Sequence, residues 1–331
     1  MSAGPPDSGH PPGRFVTWHG QTEQRGSVLI LGLPYFGRML AGRLSELGWH
    51  AEYLPHPGSS ARGWARLAPK VARAGILYLI SSRIDRGSPQ DLMMRFRRKP
   101  VVIHWVGSDA LEAVRAAARG PLSAALVQRA THWVDATWLA DELAPIGMRA
   151  DYVALPIPVL ESAPPPFPSE FHVLMYLLAD PHDREVFDSE TTLRLPAAFP
   201  GVRFTLIPPS PETLPAPLPP NLATPGHVHD MDALYRDTTV MIRLTTHDGM
   251  SFMAHEALSR GRYVIWTFPL PGAIQASGFE AVSTALHTLL ERHRAGKLGL
   301  NMEGRAATLA AFDPARVLAE LDRRLLALQH G

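Results

Sequence analysis

A proline-rich break near the middle of the chain separates two stretches built to one pattern. Leu155-Pro-Ile-Pro and Pro164-Pro-Pro-Phe-Pro168 follow each other closely. Proline fixes φ and lacks an N–H, so neither segment fits inside a helix or an interior strand. On both sides of the break, short apolar runs alternate with helical stretches. Runs at 28–31, 50–54, 75–80, 100–105, 130–135 and 150–153 precede it, and runs at 171–177, 202–207, 240–244 and 263–266 follow. Largely unbroken apolar runs predict strands buried on both faces, and their alternation with helices predicts parallel sheets covered by helices. Phe36, Met39, Leu40, Leu44 and Leu47 keep helical spacing up to Gly48, a good helix end. A helix is also expected over 137–144. The stretch 279–329 predicts two or three more, the last opening at Asp313-Pro314. The expected organisation is α/β: a flexible tail over 1–26, a first domain over 27–155, and a linker over 156–170. A second domain over 171–310 follows, and then a C-terminal helix over 311–331, placed to pack back on the first domain. The 331 residues fit two domains of about 150 residues.

Apolar residues make up 46% of the chain and charged residues 19%, which supports sizeable cores and excludes wholesale disorder. A formal net charge of +1 argues against a dedicated nucleic-acid binder. With no cysteine, disulfides, thiolate catalysis and cysteine-bound zinc are excluded. Among 32 basic residues only Lys70, Lys99 and Lys297 are lysine. An anion is therefore expected to rest on arginine, histidine or backbone amides. No apolar run reaches the roughly 18 residues of a membrane span. The first 26 residues hold no apolar core of a secretory signal, so a cytoplasmic protein is expected. Arg95, Arg97, Arg98 and Lys99 end a helix before a strand. They read either as a solvated helix end complementing its dipole or as peripheral contact with an anionic membrane or acidic acceptor.

Ligands of open parallel sheets bind at the carboxyl ends of the strands. Four such places stand out. Gly32-Leu-Pro-Tyr-Phe-Gly37 is either a tight strand-to-helix turn or a ligand-facing loop at a helix N-terminus. Its Gly-x4-Gly spacing is neither the nicotinamide fingerprint nor a nucleotide P-loop, which disfavours a dehydrogenase. His104-Trp-Val-Gly-Ser-Asp109 offers Ser108 or Asp109 as a helix cap and puts His104 at a cleft position. Arg184, after the run at 171–177, is either a surface arginine or a fork for a diphosphate. The segment 240–266 is the richest. A strand ends near Leu244, a loop carries His247, Asp248 and Gly249, and a helix begins near Ser251. Amides at the start of that helix would face the cleft with the positive end of its dipole behind them. Asp248 on the loop and Glu256 on the helix would accept hydrogen bonds from a hydroxyl-rich ligand; otherwise they are a turn residue and a solvated helix residue.

These residues resemble a GT-B glycosyltransferase: two Rossmann-like parallel-sheet domains facing across a cleft. The nearest likeness is to the retaining glycosyltransferase family 4, bacterial-type and hexosyltransferase-type enzymes with the motif Glu-x7-Glu-Ala-x-x-x-Gly-x-Pro-Val. Here the stretch reads Asp248-x7-Glu256-Ala-Leu-Ser-Arg-Gly261-Arg-Tyr-Val264. The segment Gly226-His-Val-x-x-Met-x-x-Leu-Tyr235 is similar to the family's base-lining region, and the likeness runs from about Ser27 onward.

The resemblance implies an acceptor-side first domain and a second domain that binds a nucleoside-diphosphate sugar, with transfer to a hydroxyl acceptor. It also implies retention, and independence of metals and of any cofactor beyond the donor. By the resemblance Glu256 binds ribose hydroxyls, and Asp248 binds hydroxyls of the transferred sugar. Gly249, Met250 and Ser251 hold the diphosphate or sugar by their amides, His104 touches the donor sugar, and Gly32 and Gly37 border the site. This chain departs from the family in three ways. Aspartate replaces the leading glutamate; no lysine lies between Lys99 and Lys297; and the chain is short for a two-domain member. Arg184 and Arg243 then stand in for the family's phosphate-gripping residues. The first and second departures motivate a rival reading, a GT-B-shaped binding or partner protein without transfer activity.

Overall fold

The structure, a computed structural model, describes residues 24–58, 60–160 and 162–331. The expected tail lies outside the described residues up to residue 23. The first domain runs β1 (Ser27–Gly32), α1 (Pro34–Glu46), β2 (His50–Pro55), α2 (Ala61–Arg73), β3 (Ile76–Ile80) and α3 (Pro89–Phe96). It continues with β4 (Val101–Trp105), α4 (Ser108–Arg119), α5 (Ala124–Arg129), β5 (Thr131–Val134), α6 (Thr137–Leu143) and β6 (Ala150–Tyr152). The second runs β7 (His172–Tyr176), α7 (Ser189–Ala198), β8 (Arg203–Ile207), β9 (Leu222–Ala223), α8 (Met231–Asp237) and β10 (Val240–Arg243). Then come α9 (Phe252–Ser259), β11 (Tyr263–Trp266), β12 (Ile274–Gln275), α10 (Gly278–Arg294), α11 (Met302–Ala311) and α12 (Pro314–His330). The two-residue edge strands β9 and β12 carry no apolar run, and so lack the signal that marks the other strands.

Each domain holds one six-stranded parallel sheet. The orders are β2-β1-β3-β4-β5-β6 and β12-β11-β10-β7-β8-β9. In the first sheet, Leu29 of β1 sits opposite Glu52 of β2 and Leu77 of β3. In the second, Val240 and Met241 of β10 face Val173 and Leu174 of β7. Strand order reverses beside β1 in the first sheet and between β7 and β10 in the second. At such points the following loops diverge and leave a crevice at the carboxyl ends. Both faces of each sheet are covered, which is why the central strands are apolar throughout. Leu31, Leu77, Leu79 and Ile103 pack beneath α2 to α6, and Val28, Ile30, Tyr78 and Ile80 pack on the opposite face. In the second domain, Val173, Met175 and Ile242 meet α7 and α10, while Met241, Val264 and Trp266 meet α8 and α9.

The last helix belongs to the first domain's core. Leu321 and Leu325 of α12 are fully buried among Val28, Ile30, Leu40 and Leu44. Asp313 caps α12 through the Arg316 amide. Asp322 then accepts two hydrogen bonds from Arg25, at 2.9 and 2.8 Å, and one from Trp49 Nε1 at 2.7 Å. Gly26 N donates to Gln329 Oε1 at 2.7 Å, so residues 24–26 are fastened rather than loose.

The proline linker is fastened too. A proline-rich segment makes no internal ladder, and its buried carbonyls need outside donors. Buried arginines supply them: Arg305 donates to Leu160 and Ser162 O, and Arg262 to Pro166 O. Leu155 and Ile157 are buried against Phe252 and Phe312 between the domains. Leu160, Ser162 and Pro166 are thereby tied to the second domain. Among the described residues no helix is long and apolar enough to cross a membrane. Truncating a fully buried leucine costs about 2–5 kcal/mol. Leu321→Ala is expected to cost that much in a urea titration; a loss below about 1 kcal/mol would separate α12 from the first domain's core.

Candidate functional site

The loop between β10 and α9 meets the first domain at the strand ends. Arg243, the last residue of β10, forks onto Asp248 five residues on: Nη2 donates to Oδ1 at 2.9 Å and Nε to Oδ2. Thr245 Oγ1 adds a bond to Oδ2 at 3.2 Å. The guanidinium also sits over the rings of Tyr176 and Phe187, at 4.9 and 5.4 Å. Burial pulls the Arg243 pKa down, but the adjoining Asp248 carboxylate outweighs it and holds it above its usual value. The two residues expected to grip sugar and diphosphate are thus bonded to each other.

Gly249 is where the domains come closest. A β-carbon on Gly249 would stand 2.3 Å from Val106 O, so no side chain fits there. Opposite it, Gly107 holds φ at +134°, a conformation that only glycine adopts without strain. Met250 N donates to Asp135 Oδ1 at 3.2 Å, and Trp138 Nε1 donates to Asp248 O at 2.7 Å. His247 Nε2 meets Glu142 Oε2 at 2.6 Å, and Trp138 stacks on Phe268. The Met250 amide expected to hold a phosphate is therefore engaged by Asp135. Burial pushes the Asp135 carboxyl well up, with Asp109 and Asp248 adding repulsion. Asp109 is pushed up to about 7 by burial, although amides of Val106 and Ala110 donate to it. Neither Ser108 nor Asp109 caps α4. The cap position falls to Gly107, and Asp109 instead ties the strand end to the helix.

Ser251 caps α9, its Oγ accepting from Ala254 N at 3.3 Å. A helix leaves its first amides unpaired. Those of Phe252 and Met253 have no other partner among the described residues. One turn along, Glu256 is half-buried and accepts the Tyr235 hydroxyl at 2.7 Å. Burial raises the Glu256 pKa. Across the cleft, Tyr35 in the first turn of α1 stays exposed, its ring edge-on to Phe252 at 6.0 Å. Partial desolvation in the cleft and the Glu256 charge push Tyr35 up to about 12. Glu256, Tyr235, Tyr35 and the open end of α9 therefore share one corner of the cleft. Among the described residues no cluster of three or more His, Asp or Glu is arranged to hold a metal.

The other expected site residues lie elsewhere. His104 is fully buried inside β4, with Nδ1 2.6 Å from Tyr78 Oη and its ring edge-on to Trp133. Burial pushes its pKa down to about 3, so it is a neutral core histidine. Successive strand residues point to opposite faces, and its place within β4, rather than past its end, aims it into the core. Arg184 gives Nε to Leu178 O at 2.6 Å, and its terminal nitrogens to Ala179 O, Thr213 O and Thr213 Oγ1. It holds two loops together and is not aimed at the cleft. Gly32 and Gly37 answer to packing: added β-carbons would stand 1.9 Å from Ile80 O and 2.2 Å from the Tyr53 ring. Asp135, Trp138 and Tyr35 were missed. Asp135 sits just past the end of β5, where the strand-end rule points, but the run at 130–135 absorbed it as a strand residue.

No family model and no curated protein sequence matches the chain. Solved structures do match in fold. Sucrose-phosphate synthase from Thermosynechococcus elongatus aligns at a TM-score of 0.67 and 12% identity, over 92% of this chain and 100% of that one. The DNA-modifying β-glucosyltransferase, solved with and without uridine diphosphoglucose, aligns at 0.51 and 7% identity, over 90% and 99%. The pneumococcal O-GlcNAc transferase GtfA, solved with UDP and GlcNAc, aligns at 0.55 and 11% identity over 83% of this chain, which spans 61% of GtfA. At these identities the likeness shows the fold. The chain has the GT-B architecture, two Rossmann-like sheets facing across a cleft.

A carboxyl that is protonated when folded and ionised when unfolded stabilises the fold at low pH. That contribution is lost as pH rises towards the folded pKa. For Asp109 the window runs from about 4, the ordinary aspartate value, to about 7. Asp109→Asn is expected to gain stability relative to the parent as pH rises through this window in paired thermal melts. Parallel curves would mean that the carboxyl is ionised in the folded protein.

Proposed function

We propose that this chain transfers a sugar from a nucleoside-diphosphate donor to a hydroxyl acceptor, with the donor held between α9 and α1. The observation that carries this is the corner formed by the open Phe252 and Met253 amides, half-buried Glu256 and Tyr235. Helix amides and the dipole behind them receive phosphate oxygens. One turn on, a carboxylate already oriented by a tyrosine hydroxyl suits the two adjacent hydroxyls of a ribose. Two structures of this fold were solved with UDP or a UDP-sugar, which supports a nucleotide-sugar donor.

Transfer with retention follows from the family 4 resemblance of the segment around Asp248 and Glu256. Among the described residues the carboxylates of the cleft are all engaged before the donor enters, Asp248 by Arg243, Asp135 by Met250 and Glu256 by Tyr235, which supports a route without an enzyme nucleophile. A front-face route needs only positioning and charge stabilisation. The acceptor oxygen bonds to the anomeric carbon, the bond from that carbon to the phosphate oxygen breaks, and the acceptor proton passes to the leaving diphosphate. The growing phosphate charge is met by the α9 amides. Arg243 joins them when a phosphate oxygen displaces Asp248 from its fork, and Asp248 then turns to the sugar hydroxyls. Donor entry also frees the Met250 amide from Asp135, so binding and domain opening are coupled.

The test is a panel of nucleotide sugars scored by thermal shift and by diphosphate release. A hydrogen bond to a charged group is worth about 1.5–3 kcal/mol. Glu256→Ala is therefore expected to weaken donor binding about 10- to 100-fold while the protein stays folded. Asp248→Ala is expected to lower turnover. Parent-like binding and turnover in both variants would place the donor elsewhere. Donor binding without diphosphate release over a broad acceptor set would favour a binding protein of the same shape.

A further inference from the structure

On the outer face of the first domain, away from the cleft, a groove of 770 Å³ runs between α2 and α3. Its apolar lining includes Trp64, Ala68, Val71, Leu92 and Met93, with Arg98 at one end. The sequence of α2, ARGWARLAPKVAR, explains the groove's shape. Trp64, Leu67 and Val71 face the core beneath. At helical spacing, Ala65, Ala68 and Ala72 come next and form an exposed wall too small to fill the space. Arg62, Arg66 and Arg73 follow on the adjoining face; they are exposed and form no ion pair among the described residues. Among the described residues Lys70 alone on this helix has an acidic partner, Glu52.

The opposite wall repeats this character. Leu92 of α3 is 48% exposed at the rim. The acidic residue of α3, Asp91, turns inward to Gly87 N and Ser123 Oγ at 2.8 and 2.6 Å. Beyond α3, Arg97 is buried and donates to Val71 O, Ala74 O and Gly75 O, while Lys99 donates to Arg73 O at 3.2 Å. These bonds fix the chain on both sides of Arg98, which remains exposed and forms no ion pair among the described residues. An apolar groove that the described residues leave uncovered thus lies beside a row of arginines with no ion pair among them, and α2 has no acidic residue to neutralise them. The helix is about 20 Å long at 1.5 Å per residue. It starts on the cleft side of the sheet and runs back, so Arg73 and Arg98 lie far from the strand carboxyl ends. An acceptor held by these cations would not reach the donor.

We propose that the α2–α3 face docks on the anionic leaflet of a lipid bilayer. Leu92 and the groove take up the acyl boundary, and Arg62, Arg66, Arg73 and Arg98 contact headgroup phosphates. An anionic leaflet meets both the apolar and the cationic surface, whereas a bare polyanion would leave the groove uncovered and a neutral apolar partner would strand the arginines.

Co-sedimentation of the full chain with vesicles tests this. Binding is expected to phosphatidylcholine vesicles containing about a third phosphatidylglycerol, and not to pure phosphatidylcholine. It is expected to weaken as salt rises from about 0.1 M to about 1 M, where the screening length falls from about 10 Å to about 3 Å. Arg66→Glu/Arg73→Glu/Arg98→Glu is expected to lower partitioning about 100-fold or more, since one arginine near such a surface contributes about fivefold. Leu92→Asp is expected to lower it as well, with thermal melts showing both variants folded. No partitioning to anionic vesicles, or equal partitioning to neutral ones, would overturn the docking. So would heparin-competed binding indifferent to Leu92→Asp, which would identify a polyanion partner. Binding is read without donor, so its failure leaves the transfer reaction untouched.

Discussion

The hydrogen bond from the Met250 amide to Asp135 joins the carboxyl ends of the two sheets, and the site is arranged around it. The bond requires Gly107 and Gly249 to pass almost in contact, which two residues with side chains would prevent. Once the loop is seated, Trp138 holds the Asp248 carbonyl and Arg243 holds its carboxylate. The start of α9 is then fixed, and the Phe252 and Met253 amides, unpaired among the described residues, open beside Glu256 and Tyr235. A buried carboxyl that accepts an amide and keeps its proton meets its burial at lower cost than an ionised one. Burial of Asp135 therefore shifts its balance towards the neutral carboxyl at this junction.

The chain's preference for arginine over lysine has a structural outcome. Arg97, Arg184, Arg262 and Arg305 each give several donors to backbone carbonyls in loops, helix ends or the linker. A proline-rich chain leaves many carbonyls outside ladders, and a planar five-donor fork satisfies several at once. Of the two arginines expected at a phosphate, Arg184 is in this way structural. Four exposed arginines that form no ion pair among the described residues, Arg62, Arg66, Arg73 and Arg98, lie on α2 and after α3.

The fold was largely legible in the sequence because two-faced burial leaves an unmistakable trace. The strands found from apolar runs, such as 28–31 and 100–105, appear within a residue or two of the expected bounds. The edge strands β9 and β12 escaped, since two half-covered residues need no apolar run. The site was less legible. The helix cap at Ser251 and the placement of Glu256 follow from local spacing. By contrast, whether His104 points to a cleft or a core depends on which face of β4 it occupies, a question one residue of register decides. The bond between Arg243 and Asp248 and the role of Asp135 depend on how separate strands are brought together, and pairings 115 residues apart leave no local signal.

Hydrogen–deuterium exchange in the presence and absence of UDP is the most direct measurement. If the donor rests on the start of α9, UDP slows exchange across 252–256 and in the first turn of α1 around Tyr35, and speeds it at Met250 as Asp135 lets go. Unchanged exchange in both segments, with protection appearing elsewhere, would contradict a donor site between α9 and α1.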